Sequence, residues 1–251
     1  MASSQLVALI KTLSPSRICL QFPDDLLHLS PTISASLTQY ASVHILGDTT
    51  YGSCCVDTIA ANHVSPDLLV HYGPACLSKP ACVFPVYYEF EHLPIEYAQI
   101  TGLIGNIEGR VMVFFNTLYN NAMEGVRQQM KQQDQEMYER IIWTEIDTLV
   151  NAHTLRDRTG YDSFHGRYFK MPSGGPDAVL YIGKPNLFSA HVAMQYAHCR
   201  VEMHDPETGG YATPSGNKML MRRYALVQRA KDAMTIGIVI GTLGVGKSHC
   251  K

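Results

Sequence analysis

The sequence has few charged residues and no cluster of basic ones. Lysine, arginine, aspartate and glutamate make up 17% of the 251 residues, and the formal net charge is −2. Proteins that bind DNA or RNA through its phosphates carry a basic surface, so this composition argues against a nucleic-acid partner. Hydrophobic residues make up 46%, which is enough to bury a sizeable core.

Targeting and membrane-spanning patterns are also lacking. The N-terminal sequence Met-Ala-Ser-Ser-Gln-Leu-Val has no basic region and is not followed by a signal-cleavage pattern. The longest run of glycine and apolar residues, Thr235 to Gly246, is too short to cross a bilayer. We therefore expect a soluble, cytoplasmic protein without membrane contact.

The cysteine content does not suggest disulfide bonds. Seven cysteines, an odd number, occur at positions 19, 54, 55, 76, 82, 199 and 250. Cys54 and Cys55 are sequence neighbours and are poorly placed to bridge each other. Without a secretory signal, a disulfide framework is not expected. The thiols are then either small buried side chains or metal ligands.

Short apolar runs alternate with amphipathic stretches up to residue 80. This pattern predicts strands at 17–22, 42–47 and 67–72, with helices at 24–40 and 57–64 between them. The βαβαβ order is typical of a parallel sheet with helices on its faces. In such a sheet, ligands bind beyond the carboxyl ends of the strands, so functional residues are expected in the loops that follow them.

A second set of elements follows residue 80. The sequence predicts strands at 81–88, 110–115, 140–143, 178–182, 200–203 and 235–240, and helices at 95–104, 118–133, 190–196 and 217–233. Residues 149–177 are polar and rich in glycine, proline and aspartate, which predicts a long loop or a partly ordered connector. The fold class is therefore α/β, with a first domain over residues 1–80, a second over 81–234, and the start of a third over 235–251.

A cysteine pair follows the second predicted strand. The segment Gly47-Asp-Thr-Thr-Tyr-Gly-Ser-Cys-Cys-Val-Asp57 leads from that strand into a helix. Free N–H groups and the positive end of the helix dipole lower the pKa of nearby thiols and favour thiolates. Cys54 and Cys55 are therefore candidate ligands of a metal or an iron–sulfur cluster. The spacing leaves open the alternative of a tight turn followed by buried cysteines.

A third cysteine lies in the loop after the next strand. The segment is His71-Tyr-Gly-Pro-Ala-Cys-Leu-Ser78. Because loops at the carboxyl ends of parallel strands can converge, Cys76 together with Cys54 or Cys55 could supply two thiolates. His71 is predicted to be structural, since it ends an apolar strand. Cys19, Cys82 and Cys199 are predicted to lie in the core.

The segment Gly241-Thr-Leu-Gly-Val-Gly-Lys-Ser248 fits the phosphate-binding loop pattern and follows a predicted strand. That loop needs a following helix whose N-terminus holds the phosphates, and only three residues come after Ser248. We interpret the match as chance, although a phosphate-binding protein remains an alternative.

Three long segments resemble the diphthamide synthesis family: Arg17-Ile-Cys-Leu-Gln-Phe-Pro-Asp-Asp-Leu-Leu27, Leu46-Gly-Asp-Thr-Thr-Tyr-Gly-Ser-Cys-Cys-Val-Asp57 and His71-Tyr-Gly-Pro-Ala-Cys-Leu-Ser78. Arg223-Tyr-Ala-Leu-Val-Gln-Arg-Ala-Lys-Asp-Ala233 and Gly241-Thr-Leu-Gly-Val245 resemble the stretch that enters that family's third domain. The resemblance covers nearly the whole chain. It implies tandem small parallel-sheet α/β domains of the diphthamide synthase type, with the third domain missing.

The resemblance also implies a chemistry. In the catalytic members, three domains each contribute one cysteine to a [4Fe–4S] cluster that binds S-adenosylmethionine. A 3-amino-3-carboxypropyl radical is formed and adds to a histidine of elongation factor 2, the first step of diphthamide biosynthesis. The implied partners are diphthamide biosynthesis protein 1, as the catalytic subunit of a heterodimer, and diphthamide biosynthesis protein 3 with a reductase as the electron source.

The chain departs from the catalytic pattern, because its second domain has no Gly-Cys motif where the middle ligand is expected. The segments around Gly52 and Gly73 are closer to the non-catalytic second subunit, which supports reduction of the cluster in the first. The resemblance then implies a metal site of Cys76 with Cys55, or less favourably Cys54, and a third ligand from the missing domain. A cluster-free structural remnant that only binds the first subunit remains an alternative.

The family pattern stops at Val245 and is followed by Gly-Lys-Ser, whose codons can spell a splice donor. We therefore expect the gene to continue into a third domain.

Overall fold

The computed structural model describes residues 2–47, 52–151, 157–212 and 216–238. The helices in these ranges are α1 (Ser4–Leu13), α2 (Ser30–Leu37), α3 (Thr58–Val64), α4 (Tyr97–Gly105), α5 (Asn120–Gln133), α6 (Gln135–Arg140), α7 (Leu187–Gln195) and α8 (Gly216–Lys231), with short 3-10 helices at Asp24–Leu29 and Thr117–Tyr119. The strands are β1 (Arg17–Gln21), β2 (Ser42–Ile45), β3 (Leu68–Tyr72), β4 (Val86–Glu89), β5 (Val111–Phe115), β6 (Ile141–Trp143), β7 (Glu145–Ile146), β8 (Leu149–Val150), β9 (Asp162–Phe164), β10 (Arg167–Phe169), β11 (Ala178–Ile182), β12 (Arg200–Asp205) and β13 (Gly210–Ala212).

The first sheet has the strand order β2-β1-β3-β4-β8. Strands β2, β1, β3 and β4 are parallel, and Cys19 of β1 lies between His44 of β2 and Leu69 of β3. All five residues of β3 are buried, as expected for a parallel strand covered on both faces. The parallel α/β fold predicted from the alternating pattern is confirmed.

The first sheet extends past residue 80, where a domain boundary was predicted. The strand predicted at 81–88 lies at Val86–Glu89 and pairs with β3, so its assignment to the second set was wrong. Strand β8 then pairs antiparallel with β4 and completes the sheet. Strand pairing depends on contacts far apart in the sequence, and the apolar pattern of β4 would suit either sheet.

The second sheet has the order β13-β12-β11-β5-β6, in which the last four strands are parallel and β13 is antiparallel. From β5 the chain passes through α5 and α6 to β6 on one side. From β11 it passes through α7 to β12 on the other side. The strand order therefore reverses between the neighbouring strands β5 and β11, with α5 and α7 packed in separate apolar clusters.

The described residues of the range 149–177 do not form the long loop that the sequence predicts. They contain β8, β9 and β10, and the last two form a three-stranded antiparallel sheet with β7. His165 and Gly166 make the two-residue turn between β9 and β10, with φ angles of +47° and +71°. Positive φ at both central residues is the geometry of a type I′ hairpin turn. The short polar strands gave no alternating apolar pattern from which to predict it.

One apolar cluster connects the first two sheets. It contains Cys19 and Leu69 from the first sheet and Val113 and Leu180 from the second, all completely buried. The apolar sides of α4 and α5 complete it. The two sheets thus share a continuous core, which holds their loops in a defined relative position.

Residues 235–238 were predicted to begin a strand, but they form neither strand nor helix. The phosphate-binding pattern at 241–248 lies outside the described residues. Among the described helices, none has both the length and the apolar character needed to cross a lipid bilayer.

Candidate metal centre

Three cysteine thiols meet beyond the carboxyl ends of the first-sheet strands. Cys54, Cys55 and Cys76 have their sulfur atoms within 4.8 Å of one another, and all three side chains are half-buried. The Sγ atom of Cys55 lies 3.9 Å from that of Cys54 and 3.8 Å from that of Cys76. Of the described histidine, cysteine and acidic residues, only these three form a group able to hold a metal ion.

Backbone hydrogen bonds hold the two cysteine loops together. The N–H of Cys76 donates to the carbonyl of Cys54 at 2.9 Å, and the N–H of Cys55 donates to the carbonyl of Gly52 at 2.9 Å. The first bond joins the loop that precedes α3 to the loop that follows β3. The two parts of the thiol group are therefore linked through the main chain as well as through the packing of the sheet.

Gln21, at the carboxyl end of β1, fixes the far side of the cysteine pair. Its side-chain Nε2 donates to the carbonyl of Cys55 at 2.7 Å, and its Oε1 accepts the N–H of Asp57 at 2.9 Å. Gln21 is only 2% exposed. Asp57 in turn caps α3 by accepting the N–H of Ala60. Sequence analysis missed this role, and the available signal was an amide at the end of an otherwise apolar strand.

The Cys76 loop has an unusual backbone. Gly73 has a φ of +86°, and a Cβ at this position would lie 2.9 Å from Cγ of Pro23. Leu77, which follows Cys76, has a φ of +57°. A bulky residue in the left-handed region costs about 1–2 kcal/mol, and such strain is found most often at functional sites. The surrounding packing must hold the loop in this shape.

The turn of the β9–β10 hairpin provides that packing. Gly166 lies so close to Leu77 that a Cβ on Gly166 would be 2.5 Å from Cβ of Leu77 and would also overlap its carbonyl oxygen. Only a glycine fits this contact. The hairpin therefore presses against the residue next to Cys76 and limits where that cysteine can move.

His71 is structural, as predicted. Its ring is completely buried, and its Nε2–H donates to the carbonyl of Pro74 at 3.0 Å. Burial lowers the pKa of His71, which favours the neutral ring. The hydrogen bond holds Pro74, two residues before Cys76, against the end of β3.

Cys76 and Cys55 differ in acidity. Burial acts to raise the pKa of Cys76, but hydrogen bonds with the side chain and backbone of Ser78 outweigh it and lower the pKa. Burial, followed by the neighbouring Cys76 and Cys54, raises the pKa of Cys55 to about 12. Of Cys55 and Cys76, Cys76 is therefore the first to become a thiolate as the pH rises. A metal ion would bring about ionisation of Cys55, because ligation displaces the thiol proton.

The remaining cysteines lie apart from this group. Cys19 is completely buried in the core, as predicted. Cys82 and Cys199 are half-buried, pack against apolar clusters, and have pKa values raised by burial. Sequence analysis expected one thiol of the Cys54/Cys55 pair beside Cys76 and a third ligand from elsewhere. The structure instead brings both members of the pair and Cys76 together.

The donor set is suited to a thiophilic metal. Three thiolates are the ligands expected for iron–sulfur clusters and for zinc. Bonds of about 2.3 Å in a tetrahedral site place the sulfur atoms about 3.8 Å apart. The observed separations of 3.8 and 3.9 Å match one metal ion directly. In a cluster the same sulfurs bind different irons and therefore lie farther apart than around one ion.

Comparison with known proteins places this chain in a family. The family model described as "Putative diphthamide synthesis protein" matches residues 22–249. The 2-(3-amino-3-carboxypropyl)histidine synthase subunit 2 of Danio rerio is 34% identical over 250 residues, covering 91% of this chain and 49% of that protein. Subunit 1 from Neurospora crassa is 28% identical over 246 residues, covering 94% of this chain and 52% of that protein.

A solved structure shares the fold. The crystal structure of Dph2 from Pyrococcus horikoshii with a 4Fe-4S cluster matches with a TM-score of 0.62 and 16% identity, covering 92% of this chain and 66% of that chain. The chain spans about half the length of the curated relatives it matches. Because the family model covers most of the chain, including all three clustered cysteines, this protein belongs to the diphthamide synthesis family.

Proposed function

We propose that this chain forms the cluster-binding part of a non-catalytic subunit of the enzyme that begins diphthamide biosynthesis. The observation that carries the proposal is the convergence of Cys54, Cys55 and Cys76 in a member of the diphthamide synthesis family. The related Dph2 structure contains a 4Fe-4S cluster, which supports the choice of cofactor. The three thiolates would hold the cluster, which would supply one-electron transfer when bound.

The neighbouring residues would keep the ligands in place and tune them. Gln21 holds the backbone of the cysteine pair, and the Cys54–Cys76 backbone hydrogen bond joins the two loops. Ser78 lies with its Oγ 3.4 Å from Sγ of Cys76 and would donate to the thiolate. Hydrogen bonds to ligand sulfur stabilise negative charge, so they favour the reduced form of a cluster.

The same proposal gives the protein its partners. Relatives are named subunit 1 and subunit 2 of one synthase, which supports a complex with more than one subunit. In this complex, diphthamide biosynthesis protein 1 would be the catalytic partner of a heterodimer that uses S-adenosylmethionine. Diphthamide biosynthesis protein 3 and a reductase would supply electrons, and elongation factor 2 would be the substrate, in the cytoplasm. This chain would support reduction of the partner's cluster rather than carry out the transfer.

Anaerobic reconstitution tests the metal assignment. We expect the wild-type chain to bind iron and acid-labile sulfide, and Cys54→Ser, Cys55→Ser and Cys76→Ser each to lose most of both. Cys82→Ser is the matched control, since Cys82 is also half-buried but lies outside the group. Full retention of iron and sulfide in all three ligand variants would return these cysteines to a structural role and support the cluster-free alternative.

A single bound ion is a second candidate, favoured by the 3.8 and 3.9 Å sulfur separations. A mononuclear site contains no inorganic sulfide, whereas a cluster contains sulfide in proportion to its iron. The ratio of sulfide to iron in the reconstituted protein therefore separates the two. Protein that holds one zinc or iron ion without sulfide would contradict the cluster proposal while retaining the three ligands.

The cellular role has its own test. Cells that lack the full-length gene should leave the target histidine of elongation factor 2 unmodified, as measured by mass spectrometry of the histidine-containing peptide. Reintroduction of the wild-type gene should restore the modification, and a gene with Cys55→Ser should not. Complete modification without the gene would show that the catalytic subunit needs no support from this protein.

A further inference from the structure

The three thiols of the metal centre differ in their access to small molecules. A cavity of about 430 Å³ borders the group, and Cys54 and Cys76 belong to its lining, whereas Cys55 does not. The Sγ atom of Cys55 contacts both neighbours, at 3.9 Å from that of Cys54 and 3.8 Å from that of Cys76. Within this cavity, a dissolved reagent therefore meets Cys54 and Cys76 before it meets Cys55.

The two sulfur contacts of Cys55 differ in the backbone geometry behind them. Residues joined by a disulfide have Cα atoms about 4.4–6.8 Å apart. The Cα atoms of sequence neighbours such as Cys54 and Cys55 are only about 3.8 Å apart, so a bond between these two would be strained.

Cys55 and Cys76 lie on separate loops that run side by side. The N–H of Cys76 donates to the carbonyl of Cys54 at 2.9 Å, which joins the two main chains directly. Hydrogen-bonded neighbouring chains in a sheet are about 4.8 Å apart, and this spacing is within the range of disulfide-bonded residues. The fold therefore presents Cys55 and Cys76 as a pair that can be joined by a disulfide.

Formation of that bond needs only a small change in the side chains. The two sulfur atoms are 3.8 Å apart and would have to approach to about 2.05 Å. Both side chains are half-buried and belong to loops, so rotation about their Cα–Cβ bonds can bring the sulfurs together without disruption of the core. Among the described cysteines, Cys19, Cys82 and Cys199 lie outside the group.

We propose that the thiol group, when it holds no metal, closes by forming a Cys55–Cys76 disulfide and is reopened by reduction. The disulfide would occupy two of the three clustered sulfurs, so a metal could bind only after reduction. This inference goes beyond the proposed function, because it concerns the metal-free chain and rests on the positions of the sulfurs rather than on the identity of the metal. Loading of the site would then depend on the redox state of its surroundings.

The oxidant is a low-molecular-weight disulfide, of which oxidised glutathione is an example. The thiolate of Cys76 attacks one glutathione sulfur, which breaks the S–S bond of the oxidant and releases one glutathione. Cys55 then loses its proton and attacks the Cys76 sulfur of this mixed disulfide, which forms the protein disulfide and releases the second glutathione. Two protein thiols are oxidised, one disulfide is reduced to two thiols, and the two protons are taken up by the released glutathione.

Treatment of the reduced, metal-free 251-residue protein with oxidised glutathione tests the pairing, with peptide mass mapping after alkylation. We expect Cys55 and Cys76 of the wild type to resist alkylation and to be joined to each other. Cys54→Ser and the matched control Cys82→Ser should form the same bond. Cys55→Ser lacks the second thiol, so glutathione should remain attached to Cys76. Alkylation of both cysteines in the treated wild type, or a disulfide from Cys54 to Cys76 in Cys55→Ser as readily formed as in the wild type, would overturn the proposal.

Co²⁺ binding provides a second readout, through the thiolate charge-transfer absorbance. The oxidised wild type should bind no Co²⁺, and reduction with dithiothreitol should restore binding. Protein loaded with Co²⁺ before glutathione is added should keep Cys55 and Cys76 reduced, because metal-bound sulfurs are not free to attack. Equal Co²⁺ binding before and after oxidation would refute the closing of the site. Iron and sulfide uptake is measured separately, so a chain that forms the disulfide but takes up no cluster would contradict the proposed function alone.

Discussion

The contact between Gly166 and Leu77 makes the β9–β10 hairpin part of the metal centre. In Gly166→Ala, the new Cβ would lie 2.5 Å from Cβ of Leu77 and 3.2 Å from its carbonyl carbon, with an overlap on its carbonyl oxygen. Two of these three atoms are main-chain atoms of the residue that follows Cys76. Relief of the overlap therefore requires movement of the hairpin, of the cysteine loop, or of both.

The loss in the free energy of unfolding expected for Gly166→Ala has two parts. An alanine at a φ of +71° is in the left-handed region, at about 1–2 kcal/mol. Overpacking against Leu77 adds about 1–3 kcal/mol. Gly160→Ala separates the parts, because Gly160 has a φ of +77° but no atom within 4 Å of its added Cβ. We expect Gly160→Ala to lower the free energy of unfolding by only the first amount and Gly166→Ala by both.

Two measurements check this reasoning. Urea denaturation gives the free energy of unfolding of the two variants and the wild type. Titration with Co²⁺, followed through the thiolate charge-transfer absorbance, gives the affinity of the thiol group. A shift of Leu77 would displace Cys76 from its position beside Cys55, so Gly166→Ala should bind Co²⁺ more weakly, while Gly160→Ala should match the wild type. Equal stability and equal Co²⁺ affinity of the two variants would refute the positioning role of the hairpin.

Three further substitutions test other interactions that stabilise the fold and the cysteine loops. Gln21→Leu removes both side-chain hydrogen bonds to the cysteine loop. We therefore expect a loss of about 2–4 kcal/mol in the free energy of unfolding and weaker Co²⁺ binding. Unchanged Co²⁺ affinity would show that the cysteine loop keeps its shape without Gln21. Asp57→Ala removes the cap of α3 and should cost about 1 kcal/mol by urea denaturation, most of it restored by Asp57→Asn. Burial alone would raise the pKa of Glu145, but its ion pairs with Arg158 and Arg127 lower it below the ordinary 4.5. The stabilisation of the folded state by these ion pairs is therefore present above about pH 4.5 and is lost as the pH falls through the lowered pKa of Glu145. Glu145→Gln should be less stable than the wild type by on the order of 3 kcal/mol at neutral pH, and a gap that persists in strong acid would contradict this explanation.

The sequence predicted those features of the fold that depend on residues close together in the chain. Apolar runs predicted the buried strands β1, β3 and β11, and the βαβ order indicated that the loops after β2 and β3 could meet. That rule made it possible for one thiol of the cysteine pair to lie beside Cys76, and the structure brings both there. The family resemblance added the identity of the expected cofactor, which spacing could not supply.

The remaining features depend on contacts between distant parts of the chain. Gln21 resembles a surface amide at a strand end until the cysteine loop folds over it. The pairing of β8 with β4 and the contact of Gly166 with Leu77 join segments more than fifty residues apart. None of these has a signal in local composition or periodicity.

The apolar cluster shared by the two sheets has a consequence for how the protein can be divided. A fragment that ends at residue 80 would lack β4 and β8, leaving the fully buried strand β3 at a bare edge. An exposed apolar edge strand recruits other chains, so such a fragment would aggregate rather than fold alone. The sheets should therefore melt together in a single cooperative transition, and the thiol group should keep its geometry up to the point at which the whole core is lost.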